Sequence, residues 1–177
     1  ATDKPLVTFG SSFAWEKVGS SDVGSNFGKD NDVMDVALGL DSLTATTFTT
    51  AYGNDLTWLL WTANANASWM GASFAAEYYN LNADPAAGAD WGADGYYVQA
   101  GYQVIPKTLE LGVRYAKIES SDANASVKFD KSETQLGVNY YFAKQALKLQ
   151  SDITLVKDEL SANKDDVIFR LQAQFYY

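Results

Sequence analysis

Apolar and polar side chains alternate with a period of two along most of the chain, and no other feature constrains its fold so tightly. In the clearest segment Val167, Phe169, Leu171, Ala173, Phe175 and Tyr177 interleave with Ile168, Arg170, Gln172, Gln174 and Tyr176. A strand sends these sets to opposite faces, one apolar and aromatic, the other largely polar. The same rule governs residues 147–155, 133–142, 109–116, 96–104, 72–79, 58–69 and 7–15, so the pattern predicts eight strands. The uncharged stretch 56–76 is long enough to cross a bilayer as a helix, but Asn64, Asn66 and Ser68 alternate with Ala63, Ala65 and Ala67. A helix would scatter those amides around its circumference, whereas a strand gathers them on one face.

The connections alternate too. Met70-Gly71, 105–107 and 143–146 are short; 18–56, 81–93, 120–127 and 157–165 are longer and polar. An even strand count with alternating short turns and long loops is the layout of an outer-membrane barrel. The expected fold is therefore all-β: one antiparallel transmembrane β-barrel domain over residues 1–177, with eight strands, short periplasmic turns and long extracellular loops. Both termini then fall on the periplasmic side. Residues 18–56 read as a long extracellular or fold-in loop, in which 33–50 is compatible with a hairpin, a short helix or a constriction.

Aromatic residues on the apolar face fall into two groups. Trp69, Tyr102, Tyr140, Phe142, Phe175 and Tyr177 lie near the expected periplasmic ends, and Trp15, Trp61, Tyr78, Tyr96 and Tyr115 near the outer ends. Between them come Ala, Val and Leu. Two aromatic girdles around an aliphatic band match the two interfaces of a bilayer. A soluble sandwich, the competing arrangement, needs more bulk on its core face than Ala63, Ala65 and Ala67 supply.

Composition narrows the chemistry. The 177 residues contain no His and no Cys, which removes Ser-His-Asp and Cys-His catalysis, the usual zinc sites and disulfides. An enzyme is not expected, nor is any cofactor. The net charge of -9 argues against nucleic acid as a partner. Acidic residues such as Asp22, Asp30, Asp32, Asp35 and Asp41 lack the glycine and terminal Glu of a calcium loop, so they read as solvated loop. Ala1-Thr-Asp-Lys-Pro5 carries no signal-peptide pattern and reads as a mature or trimmed start.

The arginines, Arg114 and Arg170, both fall on the polar face. Lys148, Glu77, Glu110 and Asp152 join them there. Two readings stay open: a mixed-charge belt lining a pore, or an internal ion-pair network plugging a narrow barrel. Small residues on this face, Gly10, Ala14, Ala75, Gly101, Gly112, Ala116 and Gly137, favour a wall facing something wide.

Gly71-Ala-Ser-Phe-Ala-Ala-Glu77-Tyr-Tyr79, Gly95-Tyr-Tyr-Val-Gln-Ala-Gly-Tyr102, Ile105-Pro-Lys-Thr-Leu-Glu-Leu-Gly-Val-Arg-Tyr115, Leu136-Gly-Val-Asn-Tyr-Tyr-Phe142 and Leu147-Lys-Leu-Gln150 resemble the C-terminal half of the phosphate-selective porin O/P family. The resemblance implies a barrel of about sixteen strands with an aqueous channel, in the outer membrane of a Gram-negative type bacterium. It leaves three arrangements: a fragment lacking its N-terminal strands, a self-closed small barrel, or copies sharing one larger barrel. Phosphate selectivity does not carry across, because Arg114, Lys148, Arg170 and Lys131 are faced by Glu77, Glu110, Glu133 and Asp152. The expected function is passive diffusion of small hydrophilic solutes or ions through a porin-like barrel. The alternative is a closed eight-stranded barrel that anchors without conducting. Outer-membrane lipid and small solutes or ions are the expected partners, with a homo-oligomer or the missing N-terminal strands completing the wall.

Overall fold

The computed structural model describes residues 4–20, 45–120, 128–142, 147–160 and 165–175. Eight strands follow one another: β1 (Leu6–Gly19), β2 (Asp55–Trp69), β3 (Ala72–Pro85), β4 (Trp91–Ile105), β5 (Leu109–Ser120), β6 (Asp130–Tyr141), β7 (Leu147–Asp158) and β8 (Asp165–Phe175). Each pairs antiparallel with the next in a single meander of order β1-β2-β3-β4-β5-β6-β7-β8. One helix, α1 (Ala45–Tyr52), precedes β2.

Local chemistry explains the hairpins. Met70 and Gly71 take φ of 48° and 87° between Trp69 and Ala72, so both central residues of this two-residue turn are left-handed. Turns of that hand match the twist of the strands they join. At the β4–β5 corner Pro106 needs no donor, Lys107 sits at φ 64°, and the Thr108 N–H donates to the Ile105 carbonyl at 3.0 Å. A register irregularity between Gln103 and Ile105 absorbs the corner. The strands outrun their expected lengths at the other end, where β3 continues to Pro85 and β4 begins at Trp91. Asn80 holds that extension by donating from Nδ2 to Asp94 Oδ1 at 2.8 Å. Turn 143–146 and much of the expected loops 18–56, 120–127 and 157–165 lie outside the described residues.

Period-two patterning sorts the side chains as the sequence implies. The apolar face exposes Phe9 (80%), Phe13 (81%), Leu136 (57%), Phe169 (69%) and Leu171 (63%). Monomeric soluble proteins rarely present a contiguous apolar surface on this scale. The buried hydrophobic residues among those described form one small cluster of Val18, Phe48, Leu56, Trp58 and Ala83.

The expected closure does not occur. β1 and β8 stand at opposite edges of the sheet, each with a neighbour on one side only. Both are exposed along nearly their whole length. This corrects the closed eight-stranded barrel, and with it both functions that depended on closure: a self-contained diffusion pore and a plugged anchoring barrel. Neither barrel nor transmembrane channel describes this chain alone. The physical reason lies on the polar face. An eight-stranded barrel closes around an interior filled by side chains, yet Gly101, Gly112 and Gly137 stand opposite one another on three successive strands.

Candidate functional site

The polar face is built from the even residues of β1, β2, β5, β7 and β8 and the odd residues of β3, β4 and β6, as the cross-strand registers require. One lateral row runs Ser73, Gly101, Gly112, Gly137, Asp152, Arg170. The row toward the loop ends runs Ala75, Gln99, Arg114, Gln135, Thr154. The row toward the turns runs Gln103, Glu110, Asn139, Gln150, Gln172. Between Gln99 on β4 and Gln172 on β8, residues of these rows line an open trough of about 490 Å³ whose floor is glycine and whose sides are amides and charges. Gly101 is close-fitting, since a Cβ there would lie 2.7 Å from Ser73 Oγ and 3.0 Å from Glu110 Oε1.

Charges on this face are largely matched where they stand. Arg170 Nη2 meets Asp152 Oδ1 at 2.9 Å, its Nε donates to the same carboxylate, and Nη2 also donates to Thr154 Oγ1 at 2.8 Å. Glu110 accepts a 2.7 Å hydrogen bond from the Tyr141 hydroxyl. The Arg114 guanidinium lies 4.5 Å from the centre of the Tyr97 ring, a cation–π arrangement. Lys131 pairs with Asp158 at 3.2 Å. Of the six polar-face residues singled out in the sequence, the structure joins Asp152 to Arg170 and places Arg114 and Glu110 on either side of Gly112. Lys148 lies opposite Tyr141 and Gln174 toward the turn end, and Glu77 lies opposite Asn64 and Tyr97, outside the trough. No group of three or more His, Cys, Asp or Glu side chains suited to a metal occurs among the described residues.

Near its loop end the polar face turns apolar. Val18, Leu56, Trp58 and Ala83 share it, and Phe48 of α1 is fully buried against them. Tyr52 packs edge-on to Phe48 with ring centroids 5.3 Å apart. An eight-residue helix is marginal by itself, so this aromatic anchor holds α1 to the sheet. Its signal in the sequence is the run 56–61, which is apolar on both faces except for Thr57; a strand covered on both sides reads that way.

On the apolar face, Trp61 and Tyr78 pack at a tilt with ring centroids 5.2 Å apart, and Tyr96 and Tyr115 likewise at 6.0 Å. Trp61 Nε1 donates to Asn80 Oδ1 at 2.9 Å, and the Tyr78 hydroxyl donates to Asp94. Beyond these rings Lys17 pairs with Asp55 at 3.0 Å and Lys117 with Glu119 and Asp130. Trp15 lies on the same face toward this end. At the opposite end stand Trp69, Tyr102, Tyr140, Phe142 and Phe175, with Tyr140 and Phe142 at 4.6 Å. Tyr177 lies outside the described residues. The polar collar of Asn80, Asp94 and Lys117 lies one or two residues beyond the period-two segments 72–79, 96–104 and 109–116, so the alternation carries no signal for it.

A family model for phosphate-selective porins O and P matches residues 9–177, nearly the whole chain. The chain belongs to the phosphate-selective porin O and P family. Membership of that porin family associates the chain with the outer membrane. An uncharacterized protein of Aquifex aeolicus (strain VF5) is 30% identical over 106 residues, covering 58% of this chain and 25% of its own length. The solved structure of outer-membrane expressed OmpT of Vibrio cholerae superposes at TM-score 0.54 and 19% identity, over 70% of this chain and 42% of that one. A BenF-like porin from Pseudomonas fluorescens Pf-5 gives 0.47 at 15% identity, over 71% and 40%. The porin O and P chain thus spans a quarter of the curated relative and about two fifths of these solved structures.

Proposed function

We propose that this porin O and P chain is a wall segment of a larger barrel in the outer membrane of a Gram-negative type bacterium. Its apolar face meets lipid, its polar face meets water, and strands beyond these eight complete the ring at β1 and β8. The observation that carries this reading is the combination of two unpaired edges with a broad exposed apolar face. An open edge within the hydrocarbon would leave its N–H and C=O groups unsatisfied, at several kcal/mol each, so both edges require partner strands there.

The dimensions fit. From Leu59 to Trp69 the apolar face of β2 spans ten residue steps, about 33 Å along the strand and about 25 Å along the membrane normal at a tilt of ~40°. That equals the apolar band of an outer-membrane barrel. The two aromatic groups fall at its margins, and the Asn80, Asp94 and Lys117 collar lies beyond one of them. In the larger ring the Arg170–Asp152 pair, Arg114, Glu110, Lys148 and Glu77 face the lumen.

Single cysteines along β6, in a chain with none of its own, test the two faces. Spin labels at 136, 138 and 140 should be quenched by lipid-soluble oxygen, and those at 135, 137 and 139 by a water-soluble nickel chelate. Equal accessibility at both sets, or the reverse pattern, refutes the assignment.

A further inference from the structure

We propose that the trough on the polar face is a subsite for a neutral, polyhydroxylated solute of the mono- or disaccharide class. The inference rests on the reading above that this face meets water. Its first support is charge. Arg114 and Arg170 are balanced by Glu110 and Asp152, so the trough is formally neutral although it lies in a family named for phosphate. Arg170 is held by Asp152 on two of its nitrogens, and Arg114 lies on the Tyr97 ring with Glu110 across the glycine floor. An anion entering here would have to displace a carboxylate from one arginine or approach the other past a second carboxylate. Anion sites in pores are instead lined by uncompensated Arg or Lys.

The second support is the kind of hydrogen-bonding group left over. Gln99 and Gln172 line the trough and make no side-chain bond to any described residue, and Gln150 and Asn139 bond only to each other, at 2.9 Å. A primary amide offers two donors and one acceptor with two lone pairs, and a hydroxyl likewise both donates and accepts. A row of amides therefore suits a ring of hydroxyls, whereas phosphate accepts far more than it donates. Shape is the third support. Gly101, Gly112 and Gly137 leave a floor without side chains that extends two strand spacings across the sheet, about 10 Å, and is bordered by the flanking polar rows four residues apart along the strand, about 13 Å. The volume of about 490 Å³ lies in the range of small-molecule sites.

The test uses the full 177-residue chain refolded in lipid vesicles, with maltose and inorganic phosphate as probes and calorimetry as the readout. Gly112→Val is the deciding variant. It fills the floor, while the site of its Cβ has the Ala100 carbonyl at 3.7 Å as its nearest neighbour, so a β-branched residue fits the strand. Gln172→Leu, on an exposed edge strand, is the second variant and removes one amide without touching the floor. The proposal expects maltose to bind, at least tenfold weaker binding in Gly112→Val, a smaller loss in Gln172→Leu, and no competition by phosphate. Phosphate binding that excludes maltose overturns it, as does absence of maltose binding, or maltose binding unchanged in both variants. The β6 accessibility pattern separates the two failures. If positions 135, 137 and 139 face water and maltose does not bind, the subsite is wrong and the wall segment stands; if they face lipid, the wall reading itself has failed.

Discussion

Leu136 is the position where the assignment of faces has its largest energetic consequence. It sits on β6 between Val113 and Ile153, exposed on the apolar face. Tyr140, at the turn-end aromatic margin, is four residues away, about 13 Å along the strand and ~10 Å along the membrane normal at a tilt of ~40°. In a band of about 25 Å that is close to the midplane. An arginine there should destabilise the folded state by about 2–4 kcal/mol. That is roughly a 30- to 900-fold fall in the folded-to-unfolded ratio. Asn139 projects from the opposite face of the same strand, across from Glu110 and Gln150. Asn139→Arg places the same charge in water beside a carboxylate, and its cost should stay below about 1 kcal/mol. Equilibrium denaturant titration in lipid vesicles, followed by tryptophan fluorescence, measures both. Equal stability of Leu136→Arg and the parent chain, or equal loss in both variants, would refute the reasoning.

Three other substitutions probe separate parts of the structure. Phe48→Ala should cost about 3–5 kcal/mol of the contact that seats α1, because a fully buried aromatic is removed, and hydrogen exchange should speed up across 45–52 while β5–β7 are unchanged. Gly71→Ala, at φ 87°, should destabilise the β2–β3 hairpin by about 1–2 kcal/mol, read as a lower denaturation midpoint with an unchanged slope. Lys107→Gly relieves a left-handed non-glycine residue at the β4–β5 corner, so the same titration should show neutral to slightly raised stability; a clear loss would contradict the corner's geometry.

The strands were legible because period-two alternation is a local signal: neighbours such as Leu136, Gly137 and Val138 declare their faces without reference to the rest of the chain. Closure was not legible in the same way. It depends on strand number, tilt and shear together, none of which a single strand encodes. The glycines at 101, 112 and 137 did point to a wide space beside the wall, but only the registers show that they stand in one row. Likewise Arg170 and Asp152 were both assigned to the polar face, while their direct opposition is a matter of cross-strand register. The seat of α1 escaped because Phe48 lies among threonines, in a segment whose helical and hairpin readings were balanced.

The account turns on β1 and β8 lying at separate edges that other strands complete. Spin labels at Ser11→Cys on β1 and Phe169→Cys on β8, in doubly labelled chain diluted with unlabelled chain and reconstituted in lipid, measure that separation within one copy by pulsed dipolar spectroscopy, since the chain supplies no cysteine of its own. The account predicts a distance many times the ~4.8 Å spacing of paired strands. A short distance, with β1 and β8 labels as close as those on neighbouring strands, would show the sheet closed on itself and contradict the wall segment.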